Sequence, residues 1–207
     1  MRISTLTITA SDLDAAAEYY QGLLGLRIKR DIDRFEAAVG RTTLVVRPGE
    51  TAWAGIHLAM TIPRNRFAEA RTWLSARTAL ATVDGEDEFA NPNEPWCSKS
   101  LYFRGPDGIV LELITRDRLD NDSSEPFSSA SLLCISEAGV ASTNVAATVA
   151  ALGRRFGAEP FGEGVDEFAP IGDDHGMFIV VADGRPWFSA LDSRARGGPT
   201  DIRVERS

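Results

Sequence analysis

The chain has almost no cysteine, almost no histidine and no long apolar run. Of its 207 residues two are cysteines and two are histidines. Cys97 and Cys134 are too few and too unpatterned for a disulfide framework or a zinc knuckle. No apolar stretch approaches the roughly 18 residues that span a bilayer, so no membrane partner is expected. The segment from Met1 to Ala10 alternates threonine with aliphatic residues and lacks a signal-peptide core, which leads to the expectation of a cytoplasmic protein. Basic charge is also short, with 22 Lys and Arg against 30 Asp and Glu and a net charge of −8. Phosphate backbones select basic surfaces, so nucleic acid is not an expected partner. Neither a Gly-rich phosphate loop nor a nucleophile elbow is present. What remains is 43% hydrophobic and 25% charged, the balance of a soluble globular chain.

The most informative stretch runs from Ser100 to Thr115. It predicts two strands, Leu101 to Arg104 and Ile109 to Thr115, joined by Gly-Pro-Asp-Gly. Pro106 fixes φ and Gly108 supplies a positive φ. Strand side chains alternate, so Leu111 and Leu113 share one face while Val110, Glu112 and Ile114 share the other. Glu112 is then a carboxylate inside an aliphatic strand, where it needs a partner, a metal or water.

Around this hairpin the pattern repeats. Ile3 to Ala10 predicts a strand, Asp12 caps a helix from Leu13 to Leu24, Gly25 stops it, and three short strands follow. The same order recurs from Ile56 to Ile62, through a helix from Phe67 to Ala76 and a polar segment from Asp84 to Trp96, to the hairpin. A charged linker, 118–129, separates these two modules (1–117) from a third (130–192), which has a strand to Ala141, a helix from Val145 to Phe156 and strands at 167–170 and 177–182. The tail, 193–207, is polar, and fraying is expected at its end. The fold class is α+β, built of repeated βαβββ modules with helices on the outer faces. Modules one and two are expected to face each other. The third is expected to pack on that pair or on its counterpart in a homodimer.

If the helices cover Leu6, Ile8, Leu58, Met60, Leu111 and Leu113, the opposite face carries Thr5, Thr7, His57, Thr61, Tyr102, Arg104 and Glu112. That mix suits a pocket for a small polar ligand; a wet sheet face is the bland alternative. For His57 and Glu112, the structural alternative is a hydrogen-bonded histidine and a glutamate paired with Arg104 or Arg47. Trp53, Phe89, Trp96 and Tyr102 could form aromatic walls, although aromatics more often pack under loops. The acidic run 84–88 reads as solvated, and His175, beside Asp173 and Asp174, as a surface turn.

Three segments carry a likeness: 10–26, 55–63 and 101–113. Together they resemble the vicinal oxygen chelate superfamily, which includes glyoxalase I, bleomycin- and fosfomycin-resistance proteins and extradiol dioxygenases. The resemblance implies paired curved sheets that form a cavity and a divalent metal (Zn, Ni, Mn or Fe) held in their trough. One metal ligand would come from the first strand of each of two modules and a glutamate from the last strand of the second. His57 and Glu112 match two positions, and the first falls on Thr5, where the family carries His, Gln or Glu. In the third module the glutamate position falls on Val180, while Glu137 sits alone at a first-strand position, so that module is read as structural. The implied activity is a lyase, isomerase or dioxygenase acting on a small oxygenated molecule, with Glu112 as a ligand or general base. The alternatives are a metal-free protein that sequesters a small molecule, as bleomycin-resistance relatives do, and an interaction module with a vestigial cavity.

Overall fold

The structure, a computed structural model, describes residues 1–49, 56–188, 191–196 and 201–205; Trp53 lies outside them. Each module begins with a strand that places aliphatic residues on one face, followed by a helix that covers that face. In module one, β1 (Arg2–Ala10) leads to α1 (Leu13–Glu18), capped by Asp12 accepting from the Ala15 amide, and a π-turn at Tyr19–Leu23. β2 (Arg27–Arg30), β3 (Phe35–Val39) and β4 (Thr42–Pro48) complete it. Module two runs through β5 (His57–Thr61), α2 (Phe67–Ser75), β6 (Phe89–Asn91), β7 (Ser98–Arg104) and β8 (Val110–Arg116). Module three has β9 (Cys134–Ser142), α3 (Val145–Phe156), β10 (Phe168–Asp173) and β11 (Gly176–Ala182). Three C-terminal strands follow: β12 (Pro186–Phe188), β13 (Ser193–Arg194) and β14 (Asp201–Glu205). No described helix is long and apolar enough to cross a membrane.

In every module the first strand pairs in parallel with the last: β1 with β4, β5 with β8 and β9 with β11. The modules do not combine as expected. Modules two and three, not one and two, share a curved sheet of order β10-β11-β9-β5-β8-β7-β6, joined by the antiparallel β5–β9 pair. Module one forms its own sheet, β14-β1-β4-β3-β2. The open edge of β1 is occupied by the polar tail. Leu6 sits opposite Ile202 and Ile3 opposite Val204, so alternate apolar residues in that polar stretch pack on the core.

One hydrophobic cluster joins the sheets, including Leu6, Ile8, Leu58, Met60, Leu111, Leu113, Ala138 and Val180. Module one docks on module three through its β3–β4 turn. Thr42 accepts from the Ile135 amide and donates to the Ile3 carbonyl. Gly40, at φ +53°, lies so close that an added Cβ would sit 1.9 Å from the Leu133 carbonyl oxygen. The linker is tied down rather than loose: Arg64 pairs with Asp120 and Asp122, and the Phe127 amide donates to Glu69.

Candidate metal centre

The trough of the seven-stranded sheet is floored by a single small residue. Ala59 on β5 lies opposite Glu112 on β8 and opposite Glu137 on β9. The three form one row across the sheet, with His57 two residues along β5 on the same face. Neighbouring strands are about 4.8 Å apart, so two long carboxylate side chains meet above one methyl group. His57, Glu112 and Glu137 each offer a donor atom, all within 4.8 Å of one another, and all three residues are buried.

A bulge aims Glu137 into this site. Between Ala59 and Met60 the pairing with β9 shifts, leaving Ser136 as an extra residue. Ile135 and Ala138 therefore both face the core cluster, while Glu137 and Gly139 face the trough. Bulges commonly re-aim side chains beside functional sites. In strict alternation Glu137 would have shared the core face of Ile135.

Each donor already has a partner. His57 Nε2 lies 2.9 Å from Glu112 Oε2, and Glu137 pairs with Arg116, which is fully buried. Glu112 thus meets His57, with Tyr102 also in reach, rather than Arg104 or Arg47 among the described residues. Burial and the negative charge of Glu112 push the Glu137 carboxyl up to about 7, against the pull of Arg116 and His57. Burial alone would lower the His57 pKa, but the hydrogen bond to Glu112 and the charges of Glu112 and Glu137 together raise it. Two acids beside a buried imidazole make a place where a cation is favoured. His57 Nδ1 is also buried without a hydrogen-bond partner. The donor set, one imidazole and two carboxylates, fits a divalent metal of the Zn, Ni or Mn kind.

A cavity of about 320 Å³ opens above the cluster. Its walls include Trp96, Tyr102, Phe89, Trp187 and Phe168, with Ser98, Ser100, Asn91 and Arg185 as polar lining. Of the residues singled out in the sequence, the structure brings His57, Glu112, Trp96 and Tyr102 together here. Thr5 and Thr7 lie on the other sheet, because module one does not pair with module two. Thr61 is buried further along β5 and does not line the cavity. Arg104 donates instead to the Leu191 carbonyl.

Module three, expected to be structural, places Glu137 in this cluster. Glu137 has no mate within its own module; its mates are in module two. The signal was an isolated carboxylate in an apolar strand, the same signal that singled out Glu112. Trp187 was missed because it lies past the last strand of the repeat. The acidic run is held at the surface by Arg71, 2.8 Å from Asp87. At the His175 turn, Asp173 pairs with the Met1 amino group and Asp174 with Arg118.

Residues 2–113 match the sequence profile of the Glyoxalase/Bleomycin resistance protein/Dioxygenase superfamily. No curated protein matches the sequence. Among solved structures, a Bacillus subtilis subsp. subtilis str. 168 protein described as a "putative dioxygenase" superposes with a TM-score of 0.63 at 17% identity, over 87% of this chain and 63% of that one. Glyoxalase I from Zea mays superposes with a TM-score of 0.55 at 15% identity, over 87% of this chain and 66% of that one. The chain thus spans less than two thirds of the length of either, and the likeness at these identities is one of fold.

Proposed function

We propose that this chain, which belongs to the Glyoxalase/Bleomycin resistance protein/Dioxygenase superfamily, is a metal-dependent lyase or isomerase acting on a small oxygenated molecule. The observation that carries this reading is the convergence of His57, Glu112 and Glu137 at the base of an open cavity. These three side chains would hold the metal. When bound, it would supply Lewis-acid polarisation of a carbonyl or enediolate oxygen.

The chain's own groups do the rest. The buried guanidinium of Arg116 holds one oxygen of Glu137, which fixes a carboxylate that also lines the cavity. Glu112 accepts a proton or returns one at the oxygen that faces His57. Trp96, Tyr102 and Trp187 exclude water from the donor cluster. Ring cleavage with iron is less well supported, because such enzymes use two histidines and one carboxylate, the reverse of this ratio.

A metal-free binding protein is the second reading. It is favoured by the internal pairing of His57 with Glu112 and of Glu137 with Arg116, which satisfies the donors without an ion. Elemental analysis of the purified protein decides between the two. Stoichiometric metal in wild type, lost in His57→Ala, Glu112→Ala and Glu137→Ala, is the expected result. No stoichiometric metal after soaking in Zn, Ni, Mn or Fe(II) would overturn the metal-dependent reading and leave the binder.

A further inference from the structure

The segment after β11 turns back over the trough. β12 pairs with β13, the Gly184 amide donates to the Ala195 carbonyl at 2.7 Å, and Arg104 holds the Leu191 carbonyl. This strap carries two aromatic residues into the cavity region. Phe188 stacks on Tyr102 with ring centres 4.3 Å apart and an interplanar angle of 15°, and meets Phe89 edge-on at 4.9 Å. Phe188 is therefore fixed by two rings, and Trp187, the next residue back, is fixed with it.

Trp187 lies over the β5–β9 pair, beside one of the three donors. Its ring centre is 5.5 Å from that of His57. Its indole also rests on Gly139, two residues along β9 from Glu137. A Cβ on Gly139 would come within 2.5 Å of the indole, so only glycine lets the ring lie this close to the strand. A ligand placed against the donor cluster must then lie in a cavity of about 320 Å³ that the indole helps to wall. That volume is at the small end of the roughly 300–1,000 Å³ usual for small-molecule pockets. Aromatic faces favour flat partners stacked in offset or edge-on contact.

We propose that Trp187, seated on Gly139, is the specificity-determining wall of this cavity, and that it limits the size of the flat ligand that can lie against His57. The proposal rests on the cavity being the ligand site named above, but not on the metal. The strap therefore selects the substrate by shape, while the residues beneath it act on its oxygens.

The test is a graded series of hydroxamates, flat oxygen chelators of increasing size: acetohydroxamate, benzohydroxamate and 2-naphthohydroxamate. Each is titrated into zinc-loaded and metal-free protein, in wild type, Trp187→Phe and Trp187→Ala. Wild type should prefer the single ring over the double ring by about tenfold or more, since overfilling a packed wall costs upward of about 1 kcal/mol. Trp187→Ala should bring the two within about threefold, with Trp187→Phe in between. Trp187→Phe keeps an aromatic ring on the strap, so it reads the effect even where the alanine variant fails to fold. An unchanged ratio in the folded variants overturns the proposal, as does failure of wild type to bind any of the three probes in either form. Binding that shows the size effect but ignores zinc supports the wall and instead counts against the metal-dependent reading.

Discussion

Replacing Glu137 by leucine should cost the metal-free protein far more stability than the same change at Glu112, although either removes a metal donor. Glu137 is 3% exposed and its partner Arg116 is 0% exposed. Arg116 has little else to turn to: its Nε and Nη1 have no hydrogen-bond partner, and the nearest oxygen of Asp174 is 3.6 Å from Nη1. Above about pH 7, where Glu137 is ionised, removing it leaves the Arg116 charge with only the long Asp174 contact and costs about 3–5 kcal/mol. Glu112 is different, because its partner is an imidazole that can shed its proton. Its loss costs one buried hydrogen bond, about 1–3 kcal/mol, and also removes a negative charge that opposes Glu137. These two effects partly cancel, leaving about 1 kcal/mol. At about 2–4 °C per kcal/mol for a chain of this size, Glu137→Leu should lower Tm by about 6–20 °C and Glu112→Leu by about 2–4 °C. Differential scanning calorimetry of chelator-treated protein measures both. If Glu112→Leu melts as low as Glu137→Leu, Arg116 does not depend on Glu137 and this charge accounting is wrong.

Three further outcomes are expected. Ala59→Leu should fill the floor between the two carboxylates and abolish metal uptake while leaving every donor in place; full metal occupancy by elemental analysis would contradict the row geometry. In metal-free protein, Glu137 keeps its proton up to about 7 when folded, against 4.5 for an ordinary carboxyl. Between those values the folded state binds more protons than the unfolded chain, so this group's contribution to stability falls as pH rises. The raised His57 acts in the same direction, above its ordinary 6.5. Urea denaturation from pH 5 to 7 should therefore show a smaller fall in Glu137→Gln than in wild type, and equal slopes would contradict the assignment. Gly40→Ala should destabilise by well over the roughly 1–2 kcal/mol of a left-handed alanine alone, because its Cβ also meets the Leu133 carbonyl oxygen. A thermal shift of only a degree or two would mean that the β3–β4 turn is not pinned to module three.

Much of this was legible in the chain because it is local. α3 follows from Asn144, which accepts from the Ala147 amide, and from Gly157, which ends the helix in the left-handed region. The hairpin follows from its turn, with Asp107 and Gly108 both at positive φ. The convergence of His57 and Glu112 follows from alternation within one module, since β5 and β8 are parallel neighbours. What could not be read is how modules pair. Every first strand has the same period and similar aliphatic content, so alternation says which face is buried but not which edge meets which. The tail was read only as polar, yet its alternating Ile202 and Val204 pack on the core where β14 occupies the edge of β1.

The neighbour that β5 takes decides the donor set. A trough of this kind needs the first strands of two modules side by side. β1 brings only threonines to its polar face, at Thr5 and Thr7, and hydroxyls are poor substitutes for imidazole or carboxylate. β9 brings Glu137, but only because the bulge at Ser136 turns it away from the core. With β14 on the edge of β1, β5 is left to pair with β9, and the strand that lacks a strong donor is replaced by one that has it. The apparent loss of a metal ligand at Thr5 is therefore a consequence of expecting the wrong neighbour. Removing β14 tests this directly. A chain ending before Asp201 should leave metal stoichiometry at His57, Glu112 and Glu137 intact if β5–β9 pairing is self-sufficient. Loss of metal with the seven-stranded sheet still folded would show that the occupied edge of β1 is what holds the pairing in place.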